Sequence, residues 1–180
     1  MQQLPNLNDT DRLFLLLPIY TGMRRSEVLG LRWTDVDFRL KQIRVQRGVT
    51  FAGNQPVIGP PKSKAGYRFI PLLPELDAAL RSYNHECEYI IGGDRPITEQ
   101  AYQRTWERIN RTINLHGATA HVFRHTFATI AAPYLDIKTL QTIMGHADIE
   151  TTLDRYTHAQ EERIRAAGEL LTGKFKSSNS

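Results

Sequence analysis

The apolar residues of this chain change their spacing twice, and that change limits the folds open to it. Residues 9–20 carry Leu13, Phe14, Leu16, Leu17 and Tyr20 at helical spacing, with Asp9 or Thr10 placed to cap the helix. Pro18 is placed to kink it or to mark its last turn. A second helix is predicted from Met23 through Val28, Leu29, Leu31 and Trp33. Between residues 36 and 72 the period drops to two. Ile43-Arg44-Val45-Gln46-Arg47 alternates, Arg68-Phe69-Ile70-Pro71-Leu72 reads as a short strand, and Gly53-Asn54 and Gly59-Pro60-Pro61 supply turns. Helical spacing then returns at residues 74–83, 98–113, 121–130 and 137–144, with Tyr89-Ile90-Ile91 as a short extended piece. The predicted fold is α+β and mainly helical, with a small antiparallel three-stranded sheet on one side. Lys62-Ser63-Lys64-Ala65-Gly66 is expected to form a hairpin turn near the end of that sheet.

At 180 residues the chain is long enough for one domain with a real core and too short for two comfortable ones. It has no run of eighteen apolar residues and no basic-then-apolar start, so membrane and export readings fall away and a cytoplasmic protein is expected. Cys87 stands alone, which excludes an intrachain disulfide and argues against a cysteine zinc site. The net charge of +4 is modest, but its distribution is not even. From residue 38 to residue 74 there are seven basic side chains (Arg39, Lys41, Arg44, Arg47, Lys62, Lys64 and Arg68) and no acidic one. A block of one sign within an alternating segment suggests a folded basic face that meets a polyanion.

The densest chemistry lies in residues 121–156. His121 and Arg124 are three apart in a helical pattern, which puts imidazole and guanidinium on one face. The next helix carries Ile137, Leu140, Ile143 and Met144 and stops at Gly145, with His146 directly after it. Tyr156 follows in a polar segment. Two histidines, an arginine and a tyrosine without metal-ligand spacing are the parts for phosphoryl transfer to a tyrosine. Upstream, Arg24 sits near a helix start, where a cation opposes the helix dipole. The placement makes sense if its guanidinium reaches an external phosphate while Glu27, one turn on, holds it.

These motifs resemble those of the tyrosine recombinase (phage integrase) family. Its H-x-x-R box stands here as His121-Val122-Phe123-Arg124, its L-G-H box as Met144-Gly145-His146, and its tyrosine as Tyr156. TGMRRSEVLGLRW resembles its first arginine box through Arg24 and Glu27, and PKSKAGYRFIPL resembles the segment with a general-acid lysine. That lysine is assigned to Lys62, with Lys64 as the alternative. Ser63, Phe123 and Pro133 depart from the family's usual wording without removing a reacting group.

The resemblance implies an integrase-type catalytic domain that cleaves and rejoins double-stranded DNA through a 3′-phosphotyrosyl intermediate, with Tyr156 as nucleophile. Arg24 and Arg124 would neutralise the non-bridging oxygens, His121 would take the tyrosine proton or bond the phosphate, and His146 would donate to it. Lys62 would protonate the leaving oxygen. No compact set of acidic residues accompanies these positions, so neither metal nor other cofactor is expected. Arg44, Arg47, Arg68, Arg104 and Arg108 are candidate DNA contacts. The family also implies a bacterial or phage-encoded, nucleoid-associated protein and a tetramer on DNA, joined by a helix expected at residues 161–171.

The domain is expected to span residues 9–172, between a tether at 1–8 and a polar tail at 173–180. The chain begins about twenty residues before the arginine box, so the family's N-terminal DNA-clamp domain is expected to be absent. Two other readings stay open: a type IB topoisomerase relaxing DNA by the same chemistry, and a non-catalytic DNA-binding module on the same fold. Zinc on His121, His125 and His146 is disfavoured because no acidic third ligand lies near.

Overall fold

The computed structural model describes residues 7–83, 86–115 and 118–145. His146, Tyr156 and the helix expected at 161–171 lie outside the described residues. Helix α1 (Asp9–Thr21) forms the centre of the fold. All five side chains from Leu13 to Leu17 are buried, so α1 is covered on every side rather than along one stripe. Helices α2 (Arg25–Leu29), α3 (Pro74–Ser82) and α5 (Ala120–Ala131) pack against it. Asn8 caps α1 in place of the expected Asp9 or Thr10, its Oδ1 accepting from the Asp11 amide at 2.9 Å. Pro18 falls in the last turn, where its carbonyl accepts from the Gly22 amide at 3.1 Å. Gly22 is required twice over. Its φ is 62°, and a Cβ there would come within 2.6 Å of the Phe127 ring.

The second helix is shorter than its apolar pattern predicts. It ends at Leu29, and Trp33–Asp35 forms a separate 3₁₀ turn. Buried Asp35 explains the break: its carboxylate accepts from the Arg32 amide at 2.9 Å, from Gln46 Nε2 at 2.6 Å and from Arg47. A side chain that bonds nearby backbone offers the chain an alternative to continued helix.

The predicted three-stranded antiparallel sheet is present, in the order β1 (Val36–Asp37), β2 (Gln42–Val45), β5 (Arg68–Pro71). Its register pairs Ile43 with Ile70 and Val45 with Arg68. A separate hairpin, β3 (Gly48–Ala52) and β4 (Gln55–Gly59), turns at Gly53-Asn54 with Gly53 at φ 60°. The expected hairpin turn at residues 62–66 is instead a loop between β4 and β5, which do not pair, with a 3₁₀ turn at Lys64–Gly66.

Helix α4 (Glu99–Ile113) is capped by Thr98 and buries Tyr102, Ile109 and Ile113. Helix α6 (Ile137–Met144) ends at Gly145, whose φ is 63°. On α5 the apolar pattern overstates burial, since Val122 and Ile130 are exposed. Among the described residues no helix is long and apolar enough to cross a membrane.

Candidate active site

The end of α6 organises the site. The last carbonyls of a helix have no partner within it and carry partial negative charge. Here three successive carbonyls are each met by a different arginine. Arg68 Nε donates to Ile143 at 2.6 Å, Arg124 Nη2 to Met144 at 2.5 Å and Arg24 Nη2 to Gly145 at 2.9 Å. The arginines come from β5, α5 and the residue preceding α2. Tertiary packing therefore brings together positions that the sequence spreads over a hundred residues.

Glu27 joins two of them. Its carboxylate accepts from Arg24 Nη1 at 3.0 Å, from the Arg24 amide at 2.8 Å, and from both Nη atoms of Arg68 at 3.0 and 2.8 Å. The amide contact reaches back to the residue before the helix, as in the reciprocal half of a capping box. Burial pushes the Glu27 carboxyl up, but the hydrogen bonds and charges of Arg68 and then Arg24 outweigh it, leaving Glu27 below its ordinary value. Glu27 therefore supports Arg24 through contacts that the spacing of three residues predicts.

Exposure separates the three guanidiniums. The Arg24 side chain is 35% exposed, whereas Arg68 is 1% exposed and Arg124 is buried. Burial lowers the Arg124 pKa to about 9, with Arg24 and Arg68 adding to that effect and Glu27 opposing it. Arg124 is still a cation at neutral pH. It also donates from Nη1 to the Gly22 carbonyl at 2.6 Å, so among the described residues backbone holds two of its five donors.

His121 lies in the first turn of α5 and is exposed, unlike Arg124 one turn on. Its Nε2 is 2.5 Å from His125 Nε2, and the two rings meet edge to face. Lys62 and Lys64 are both exposed in the loop leading to Arg68. That loop lies against the helix end, because a Cβ on Gly145 would come within 3.1 Å of the Ala65 carbonyl oxygen. His146 and Tyr156 lie outside the described residues.

Three candidate DNA contacts have other partners. Arg68 is enclosed by Glu27, Ile143 and Gly66 and offers no surface to a polyanion. The signal was available in the alternation of β5, which puts Arg68 on the face of fully buried Ile70. Arg47 bonds buried Asp35 and the Gly30 carbonyl. Arg108 grips buried Asp11 through Nε at 2.7 Å and Nη2 at 2.5 Å, tying α4 to the start of α1. Arg44 and Arg104 are exposed. Arg25 lies over the rings of Phe51 and Tyr102, 5.6 and 5.2 Å from their centroids.

A mainly helical domain with a small antiparallel sheet, built around this arginine cluster, has the architecture of an integrase catalytic domain. The chain belongs to the phage integrase family, whose model matches residues 1–163. It is 28% identical to a tyrosine recombinase XerC-like protein of Caldanaerobacter subterraneus subsp. tengcongensis, covering 91% of this chain and 49% of that protein. To tyrosine recombinase XerA of Thermococcus onnurineus it is 31% identical, covering 92% of this chain and 57% of the relative. Among solved structures, the Tn1549 transposon integrase in complex with transposon right end DNA superposes with a TM-score of 0.71 at 27% identity. That match covers 91% of this chain and 59% of the integrase. The chain thus spans about half the length of the curated relatives it matches.

Proposed function

We propose that residues 9–172 are the catalytic domain of a site-specific recombinase that cleaves and rejoins double-stranded DNA through a tyrosyl–phosphate bond. The observation that carries this reading is the convergence of Arg24 and Arg124 on the Gly145 and Met144 carbonyls. It fixes two cations at the backbone directly preceding His146. A phosphodiester attacked by an oxygen nucleophile accumulates charge on its non-bridging oxygens, and preorganised cations stabilise that charge without reorganising during the reaction.

In this reading Tyr156 attacks the phosphorus, a 3′-phosphotyrosyl bond forms and the bond to the 5′-oxygen breaks. Arg24, with its partly exposed guanidinium, bonds the phosphate directly, and Arg124 adds charge from beneath. His121 accepts the tyrosine proton or bonds the phosphate, and His146 donates to a non-bridging oxygen. Lys62, or Lys64 from the same loop, protonates the leaving oxygen. The reverse sequence on a new 5′-hydroxyl rejoins the strand, so the step needs neither ATP nor a metal ion. Of the candidate DNA contacts, Arg44 and Arg104 are exposed and have no carboxylate partner among the described residues, whereas exposed Arg108 is held by Asp11.

DNA is the proposed partner, in line with the DNA-bound Tn1549 integrase, and a tetramer is the proposed working assembly. In this reading residues 161–171 of a neighbouring copy pack on an apolar cavity of about 400 Å³ lined by Ile19, Tyr20, Phe127, Ile130, Tyr134 and Ile143 among others. Truncation after His158 should weaken assembly on DNA.

The direct test incubates the protein with nicked suicide oligonucleotides carrying candidate sites, in EDTA, and resolves products on a denaturing gel. A covalent protein–DNA band that disappears in Tyr156→Phe is expected. A band that requires Mg²⁺, or that survives the substitution, overturns the mechanism.

A further inference from the structure

Arg68 is, with Arg124, one of the two enclosed cations of the cluster and has no part in the reaction as proposed. Its Nε bonds the Ile143 carbonyl, Nη1 bonds Glu27 and the Gly66 carbonyl, and Nη2 bonds Glu27 again. Three segments distant in sequence therefore meet on one planar group: α2, the loop that carries Lys62 and Lys64, and the end of α6. Gly145 packs so closely on this guanidinium that a Cβ there would lie 2.8 Å from Nη1. A buried ion pair is a poor device for stability alone, because the desolvation of both charges offsets much of their attraction. A rigid fork with fixed donor directions is a good device for holding geometry.

We infer that Arg68 is a positioning residue, aiming Arg24 through Glu27 and holding the end of α6 and the lysine loop in register, without touching DNA. The inference rests on the recombinase reading. Its mechanism is geometric. Arg24 takes its direction from two acceptors, the Glu27 carboxylate and the Gly145 carbonyl, and Arg68 bonds Glu27 and the carbonyl two residues before Gly145. Lysine in its place keeps the charge but has three donors on a single nitrogen, where Arg68 makes four hydrogen bonds from three nitrogens in a fixed fork.

The test compares wild type with Arg68→Lys in single-turnover cleavage of a suicide oligonucleotide, at saturating DNA and well below the measured Tm. DNA affinity is measured separately across a salt series. The expected result is a cleavage rate per folded molecule lowered roughly 10- to 100-fold, as for a small misplacement of a reacting group, with affinity and salt slope unchanged. Arg24→Lys should cost less in the Arg68→Lys background than in wild type, since both changes disturb one aimed group. Loss of affinity with a shallower salt slope would make Arg68 a phosphate contact and overturn the inference. An unchanged rate per folded molecule would reduce it to a structural staple. If Arg68→Lys does not fold, Arg68→Met serves the same comparison, and failure of both to fold also assigns Arg68 to stability alone. A wild-type protein that forms no Tyr156-dependent band would instead sink the recombinase reading itself.

Discussion

Arg24 and Gly145 are 121 residues apart in sequence and are joined by a hydrogen bond of 2.9 Å from Nη2 to the backbone carbonyl. The bond ties the first arginine box to the end of the helix that precedes His146. Both ends depend on local backbone chemistry. Arg24 precedes the short helix α2, where Glu27 reaches back to its amide, and Gly145 adopts a left-handed φ that closes α6. The site is therefore assembled from helix ends, where unpaired backbone groups are available to orient side chains.

Because Arg24 is the most exposed of the three arginines, its loss should affect chemistry more than folding. Arg24→Lys keeps one positive charge but cannot bond Glu27 and Gly145 while presenting two donors to a phosphate. The cleavage rate at saturating DNA should fall about 10²- to 10³-fold, the range seen when one preorganised donor is removed from a developing oxyanion. Thermal unfolding should shift by only a few degrees. A variant with near wild-type cleavage would remove Arg24 from the reaction.

Gly145→Ala meets two obstacles. The residue would be held at φ 63°, a conformation costing a non-glycine residue about 1–2 kcal/mol, and its Cβ would press on the Arg68 guanidinium. Displacing Arg68 disturbs Glu27 as well, so cleavage should fall further than stability alone explains. Urea unfolding gives the first quantity and single-turnover cleavage of the folded fraction gives the second.

The helices were legible in the sequence because their apolar spacing and caps agree, as in α3, α4 and α6. The arginine box was legible because Arg24 and Glu27 are near neighbours and their contact is local. The fates of Arg47, Arg68 and Arg108 were less so. Each is paired with a carboxylate twelve or more residues away, and a basic residue bound to a buried acid looks in sequence like one awaiting a phosphate. The β3–β4 hairpin was marked by Gly53-Asn54 but had no clear alternation, since Val57 and Ile58 are both substantially exposed. Helix α2 is shorter than its apolar pattern because Leu31 and Trp33 are core residues of the segment that follows it.

The Glu27 carboxyl supplies a pH dependence with a definite sign. Its folded pKa lies below its ordinary value of 4.5, so the unfolded chain binds its proton more readily. The stability it contributes is fully present above about pH 4.5 and is lost as pH falls through the lower folded value. Glu27→Gln should reduce overall stability and flatten the acid limb of a stability–pH curve measured by urea unfolding. An acid limb as steep as that of wild type would mean that other carboxylates dominate it.

Arg108 separates fold energetics from DNA affinity. Its guanidinium makes two hydrogen bonds to Asp11, whose side chain is 2% exposed and also accepts from Asn8 Nδ2 at 3.0 Å. Removing the cation leaves a buried carboxylate short of its strongest partners, at a cost of roughly 1–3 kcal/mol. About half of Arg108 is exposed, so solvent reaching the site keeps that cost well below that of breaking a fully buried pair. Arg108→Ala should therefore lower the urea midpoint while leaving the slope of DNA affinity against salt unchanged. Arg104→Ala, four residues earlier on the same helix and exposed, should do the reverse. It should leave the midpoint nearly unchanged and reduce the salt slope by about 1, the signature of one lost phosphate contact. Wild-type salt slopes for both variants would place neither arginine at the DNA, and a shallower slope for Arg108→Ala would show that it leaves Asp11 to bind a phosphate.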